Sequence, residues 1–148
     1  MRIKDISRTI LGLVVLCGGF AHAAGALARA DDALGHWSTP ARHGVVDITT
    51  CGQSVCGHLQ SSDAINANAD ARDTHNANAT LRSQPLKGLA MLTGFVRADN
   101  GWTGGTIYNP EDGHTYRATM TLSGANTLIV KGCVIWPLCK TQTWQRIR

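Results

Sequence analysis

From residue 35 onward, apolar and polar residues alternate in short runs separated by Gly, Pro, Asn and Asp. A strand turns successive side chains to opposite faces, so this period of two marks half-buried β-strands. "VVDITTC" (residues 45–51) alternates in this way, and "VCGHLQ" follows after the turn-like "GQS", which predicts a hairpin. "LKGLAMLTGFVRA" (residues 86–98) predicts a further strand with bends at its glycines. Asp99-Asn100-Gly101 then predicts a type I′ turn, because Asn-Gly accepts the positive φ values such a turn needs. In "GHTYRATMTL" (residues 113–122), Tyr116, Ala118, Met120 and Leu122 share the face expected to point inward, and Thr115, Arg117, Thr119 and Thr121 share the other. "TLIVKGCV" and "KTQTWQRIR" supply the closing strands, and no convincing helical period occurs beyond the N-terminal segment. The pattern predicts an all-β chain of about eight strands joined by tight turns, an up-and-down antiparallel arrangement that a single β-barrel closes with no exposed edge.

Two short stretches inside this pattern have the look of a site and read better as backbone devices. "NPEDG" (residues 109–113) is turn chemistry: Pro110 presets φ and Gly113 can enter the left-handed region. Glu111 and Asp112 are adjacent and diverge, so they are poorly placed as an acid–base pair. Gly104 and Gly105 weaken the start of a strand and predict a bulge or barrel corner.

The N-terminal segment has a different pattern. Arg2, Lys4 and Arg8 precede the apolar run of residues 10–20, and Ala21-His22-Ala23 offers a small-x-small cleavage site. This predicts a signal peptide over residues 1–23, with a cut as late as residue 30, then a flexible stretch to residue 34 and a barrel domain over residues 35–148. The apolar run falls short of the ~20 residues that a membrane-spanning helix needs, so no stable membrane insertion is expected after cleavage. Without residues 1–23, eleven Lys and Arg face nine Asp and Glu, and the formal charge drops from +4 to +2. No basic run survives, and no nucleic-acid partner is expected. Four cysteines remain: Cys51, Cys56, Cys133 and Cys139. Their even count in an exported chain predicts two disulfides, and the spacing favours Cys51–Cys56 and Cys133–Cys139 over zinc ligation. The expected location is periplasmic or secreted.

Residues 61–85, "SSDAINANADARDTHNANATLRSQP", break the alternation with an Asn- and Ala-rich run of neither period. A loop of that length inside a domain is unusual, and its composition predicts a solvated insertion.

Several motifs in order carry a family resemblance. Trp102-Thr103-Gly104-Gly105-Thr106-Ile107-Tyr108-Asn109-Pro110, Asp112-Gly113-His114-Thr115-Tyr116 and Thr141-Gln142-Thr143-Trp144-Gln145-Arg146, with Asn76, Leu81-Arg82, Pro85-Leu86-Lys87-Gly88-Leu89 and the pair Cys51/Cys56, resemble the bacterial "domain of unknown function 2147" family. The resemblance implies a secreted or periplasmic lipocalin-like β-barrel and no particular activity. Gly35-His36-Trp37 also resembles the Gly-x-Trp that opens the first strand of lipocalins, where a basic side chain from the barrel's end packs over the indole. Arg146 is the residue placed for that role, and both are expected to be structural.

Candidate chemistry is thin. The five His beyond the signal segment show no metal-ligand spacing, there is no Gly-x-Ser-x-Gly elbow, and the cysteines are committed to bridges. No enzyme activity, cofactor or metal is expected. An eight-stranded barrel is either filled by side chains or holds one small ligand. Trp102, Tyr108, Tyr116, Met120 and Trp144 are the candidates to line such a cavity, with Arg82 or Arg117 at its mouth. Two functions follow: binding of a small apolar or amphipathic molecule, or a filled, non-catalytic structural or interaction protein of the cell envelope.

Overall fold

Alternation along the strands becomes a closed wall in the computed structural model, which describes residues 30–148. Eight antiparallel strands run in chain order around the barrel: β1 (Gly35–Ser38), β2 (Val45–Cys51), β3 (Ser54–Ser61), β4 (Ala90–Ala98), β5 (Gly101–Asn109), β6 (His114–Leu122), β7 (Thr127–Ile135) and β8 (Leu138–Arg146). Pairing of β8 with β1, through Trp37 with Arg146 and Ser38 with Gln145, closes it. The proposed signal segment lies outside the described residues. Of the stretch 24–34, Ala30–Ala33 is a 3-10 turn whose Ala33 is buried.

Up-and-down topology puts alternate connections at the same end, so the barrel has two unlike ends. One is a packed floor. There Trp37, Phe95, Trp102, Met120 and Leu128 are each at most 2% exposed, a dense cluster of large side chains that closes this end. The Trp37 indole N–H donates to the Ala33 carbonyl at 2.8 Å, and the Arg146 guanidinium lies over its ring, 4.2 Å from the centroid. Arg146 also donates to the carbonyls of Leu34 and Ala125, at 2.6 and 2.8 Å, and to that of Asp32. One cation thus ties the last strand to the segment before the first.

Both local disulfides form. Cys51–Cys56 clamps the β2–β3 hairpin at the floor, and Cys133–Cys139 clamps the β7–β8 hairpin at the other end. The Gly-Gly pair does bend β5. The ladder to β6 shifts between Trp102 and Gly105, Gly104 has φ +74°, and a Cβ on Gly105 would sit 2.4 Å from the Phe95 ring.

One sequence expectation needs correction and another needs refinement. The β4–β5 turn is not of type I′. Ala98 pairs with Gly101 around Asp99 and Asn100, and neither of these two has positive φ. The positive φ, +140°, falls on Gly101, where a Cβ would lie 2.1 Å from the Met120 carbonyl oxygen. Close approach of β6, not turn geometry, requires this glycine. The Asn/Ala-rich run is solvated along most of its length, as expected, but it is anchored at a few buried residues and is not without structure. It holds a short helix α1 (Asp63–Ala67), N-capped by the Ser62 hydroxyl, and a 3-10 turn, Ala79–Leu81. Ser62, Ile65, Asp73, Asn76, Leu86 and Leu89 are buried, and β4 begins at Ala90 instead of Leu86. Local Asx and Ser capping replaces apolar periodicity here, which is why no period was legible.

Candidate functional site

At the second end of the barrel Gly132 adds no bulk to the wall. Above Trp144 the interior opens into a cavity of about 960 Å³. Leu59, Leu86, Met91, Ile107, Val130 and Trp144 give it apolar walls. Four connections surround its mouth: the β1–β2 turn, the segment between β3 and β4, the β5–β6 turn and the tip of the β7–β8 hairpin.

The long segment between β3 and β4 is folded back over this end and held by one buried carboxylate. Asp73, 1% exposed, accepts hydrogen bonds from the Tyr108 hydroxyl at 2.7 Å, Asn76 Nδ2 at 2.7 Å and Gln84 Nε2 at 2.9 Å. Its backbone N–H donates to the Gln84 carbonyl, and Leu86 N–H to the Ala71 carbonyl, which pins the two arms of the segment to each other. The segment thereby contributes Ala71, Arg72, Thr74 and Leu86 to the cavity wall. At Gly113, with φ +72°, a Cβ would lie 1.8 Å from the His75 carbonyl oxygen, so the β5–β6 turn fits against the segment only as glycine.

Two exposed polar contacts cross the rim. Arg42 Nε bonds Glu111 Oε1 between the β1–β2 and β5–β6 turns, and His43 Nδ1 lies 2.8 Å from Asp63 Oδ1 at the start of α1. Arg42 and His43 both have left-handed backbones, φ 52° and 48°, which is uncommon for side chains with a Cβ and shapes the turn that carries these contacts. Glu111 and Asp112 do diverge. Asp112 turns the other way and accepts from the Tyr116 hydroxyl at 2.8 Å, Asn109 Nδ2 at 2.7 Å and the His114 backbone N–H at 2.9 Å. Burial alone would push the Asp112 pKa up, but these donors outweigh it and hold the carboxyl below its ordinary value.

Tyr108 is shifted the other way. Burial, then the hydrogen bond and negative charge of Asp73, keep its hydroxyl protonated well above the ordinary value of 10. A raised folded-state pKa contributes stability that is full below pH 10 and is lost as pH climbs from there through the folded value. Urea midpoints measured at increasing alkaline pH should therefore fall, and Tyr108→Phe should flatten that decline. Some slope should persist, since Tyr116 is raised in the same direction by its bond to Asp112.

The residues named from sequence divide between the two ends. Tyr108, Tyr116 and Trp144 line the cavity. Trp102 and Met120 lie in the packed floor, and the Arg97 guanidinium covers the Trp102 ring at 4.8 Å. The Trp102 indole N–H is buried with no partner, which nothing in the structure explains. Neither arginine stands at the mouth. Arg117 is on the outer, exposed face of β6, and Arg82 donates through Nε to the Asn76 carbonyl at 2.8 Å. Sequence reading missed Gln142 and Lys140, although both share the Trp144 face at intervals of two residues. The Trp144 indole N–H donates to Gln142 Oε1 at 2.8 Å, which puts a polar pair low in an otherwise apolar wall. It also missed Asp73, whose partners come from three separate places in the chain. Among the described residues no group of three His, Cys, Asp or Glu could hold a metal ion.

Residues 35–146 match the family described as "Uncharacterized protein conserved in bacteria (DUF2147)". No curated protein matches the sequence. Protein HP1028 from the human pathogen Helicobacter pylori, described as belonging to the lipocalin family, is similar in structure with a TM-score of 0.69. The two chains are 22% identical over 78% of this chain and 82% of that one, a likeness in fold.

Proposed function

Since the chain belongs to the DUF2147 family and folds as a lipocalin-like barrel, we propose that it binds one small apolar or amphipathic molecule in the cavity above Trp144. The cavity itself carries this reading. Its volume of about 960 Å³ is that of a small-ligand site, and its walls are apolar with few polar groups. A filled barrel would have had no such space. An apolar tail would lie against Leu59, Ile107 and Val130, and a polar end would face the charged rim near Arg72 and Lys140. Gln142, whose Oε1 accepts from the Trp144 indole, is the polar group deeper in the wall. We place the protein outside the cytoplasm, a reading supported by two disulfides and by the basic, apolar, small-residue order of residues 1–23.

The test is titration with the apolar fluorophore N-phenyl-1-naphthylamine, followed by displacement with fatty acids and other single-chain amphiphiles. Emission should rise on binding and fall on displacement. Ile107→Trp puts a larger ring into the cavity from a position that is already partly buried, and should weaken the fluorophore by about tenfold or more while leaving the fold intact. Binding equal to that of the unsubstituted protein would rule out the interior as the site. Mass spectrometry of the natively purified protein would then show whether a co-purified molecule sits elsewhere.

A further inference from the structure

The tip of the β7–β8 hairpin is built against the usual rule for turns. Between the bridged Cys133 and Cys139 it carries Val134, Ile135, Trp136, Pro137 and Leu138, without one charged or amide side chain. Val134, Ile135, Trp136 and Leu138 are 68, 65, 77 and 64% exposed. The other three tryptophans are at most 2% exposed, so Trp136 is the one the fold leaves in water. The disulfide holds the tip out as a fixed projection. Such a cluster is costly in water unless something covers it.

The surrounding charge narrows what that is. From residue 123 to residue 148 the sequence contains no Asp or Glu. Lys131 Nζ stands 4.6 Å from the centre of the Trp136 ring, and exposed Lys140 follows the bridge. The acidic groups on the rim are engaged elsewhere: Glu111 with Arg42, Asp63 with His43, Asp112 with Tyr116 and Asn109. A tryptophan with aliphatic neighbours between two lysines fits the headgroup region of an anionic bilayer, where indole prefers the interface and each cation near the surface adds attraction. A protein partner fits less well. A convex two-residue turn cannot by itself cover the ~1,200 Å² of a specific interface, whereas a lipid surface needs no complementary pocket.

We infer that the Cys133–Cys139 tip seats in the interface of a membrane containing anionic phospholipid, with Trp136 at headgroup level. Docking there is peripheral, by a few side chains. Val134 and Leu138 also belong to the cavity wall, so seating the tip sets the mouth of the cavity against the headgroups. The inference does not rest on cavity binding, and its test needs no cavity ligand.

Trp136 is its own reporter. The full chain is mixed with phosphatidylglycerol–phosphatidylcholine vesicles or with phosphatidylcholine alone, and tryptophan emission is followed. Co-sedimentation is not the readout, because it does not show which segment touches the lipid. The expected result is a blue shift on anionic vesicles and quenching by lipids brominated near the headgroup, both absent in Trp136→Phe. Ile135→Ser with Leu138→Ser keeps the reporter, changes only exposed positions, and should weaken the response about tenfold. Lys131→Gln with Lys140→Gln should weaken it by a similar factor, about tenfold, and only on anionic vesicles. Unchanged Trp136 emission on vesicles overturns the inference. So does a shift that grows with protein concentration in vesicle-free buffer, which would make a second copy the occupant, and so does an equal response on neutral vesicles.

Discussion

Trp37→Ala should be among the most destabilising single substitutions in this protein, costing about 3–5 kcal/mol. The indole is fully buried at the floor, roofed by Arg146 and bonded to Ala33. Its loss leaves a cavity in the packed floor, an uncovered guanidinium and an Ala33 carbonyl without its indole donor. Domains of this size are held by only about 5–15 kcal/mol, so the denaturant midpoint should drop by a large fraction. Trp37→Phe keeps most of the packing and loses the N–H, and should fall between the two. A midpoint for Trp37→Ala within 1 kcal/mol (on the order of a surface substitution) would mean that the floor does not depend on this ring.

Asp73→Ala should cost about 3 kcal/mol or more, because the Tyr108 hydroxyl and two side-chain amides lose their common acceptor in a buried place. The damage should be regional. Hydrogen exchange should quicken across residues 62–89, while amides of β5 to β8 away from the mouth keep their protection. Asp73→Asn retains one acceptor oxygen but turns an NH₂ toward other donors, and should recover only part of the loss. Because the segment supplies Ala71, Arg72 and Leu86 to the cavity wall, the fluorophore should bind more weakly to both variants. Unchanged exchange in Asp73→Ala would show that the segment is held by Ile65, Leu86 and Leu89 without the carboxylate.

The barrel was legible because strand alternation is local. "VVDITTC" and "HTYRATMTL" announce their buried faces residue by residue, and each tight turn fixes the next pairing. Cys51 and Cys56, and Cys133 and Cys139, were legible for the same reason, since each pair spans one hairpin. The candidate site was legible only in part. Parity put Tyr116 and Met120 on the inward face, but parity says nothing about height along the barrel axis, and height separates the floor, with Trp102 and Met120, from the cavity, with Tyr108 and Tyr116. Asp73 was hidden for a further reason. A buried carboxylate is defined by its donors, and Tyr108 is 35 residues away in sequence. The hairpin tip passed unread, because an apolar run between two strands reads as core until its exposure is seen.

The closure of the barrel is uneven. β1 is four residues long and shares two paired positions with β8, whereas β7 and β8 are paired along nearly their whole length. The cylinder is a rolled sheet with a narrow lap, and Arg146 is the stitch that holds the lap shut. Opening along this line would part the wall from the side, beginning where both ends of the domain meet. On the ligand-binding reading proposed above, a molecule in the cavity would gain a second exit, a slit parallel to the strands that bypasses the rim and its polar contacts.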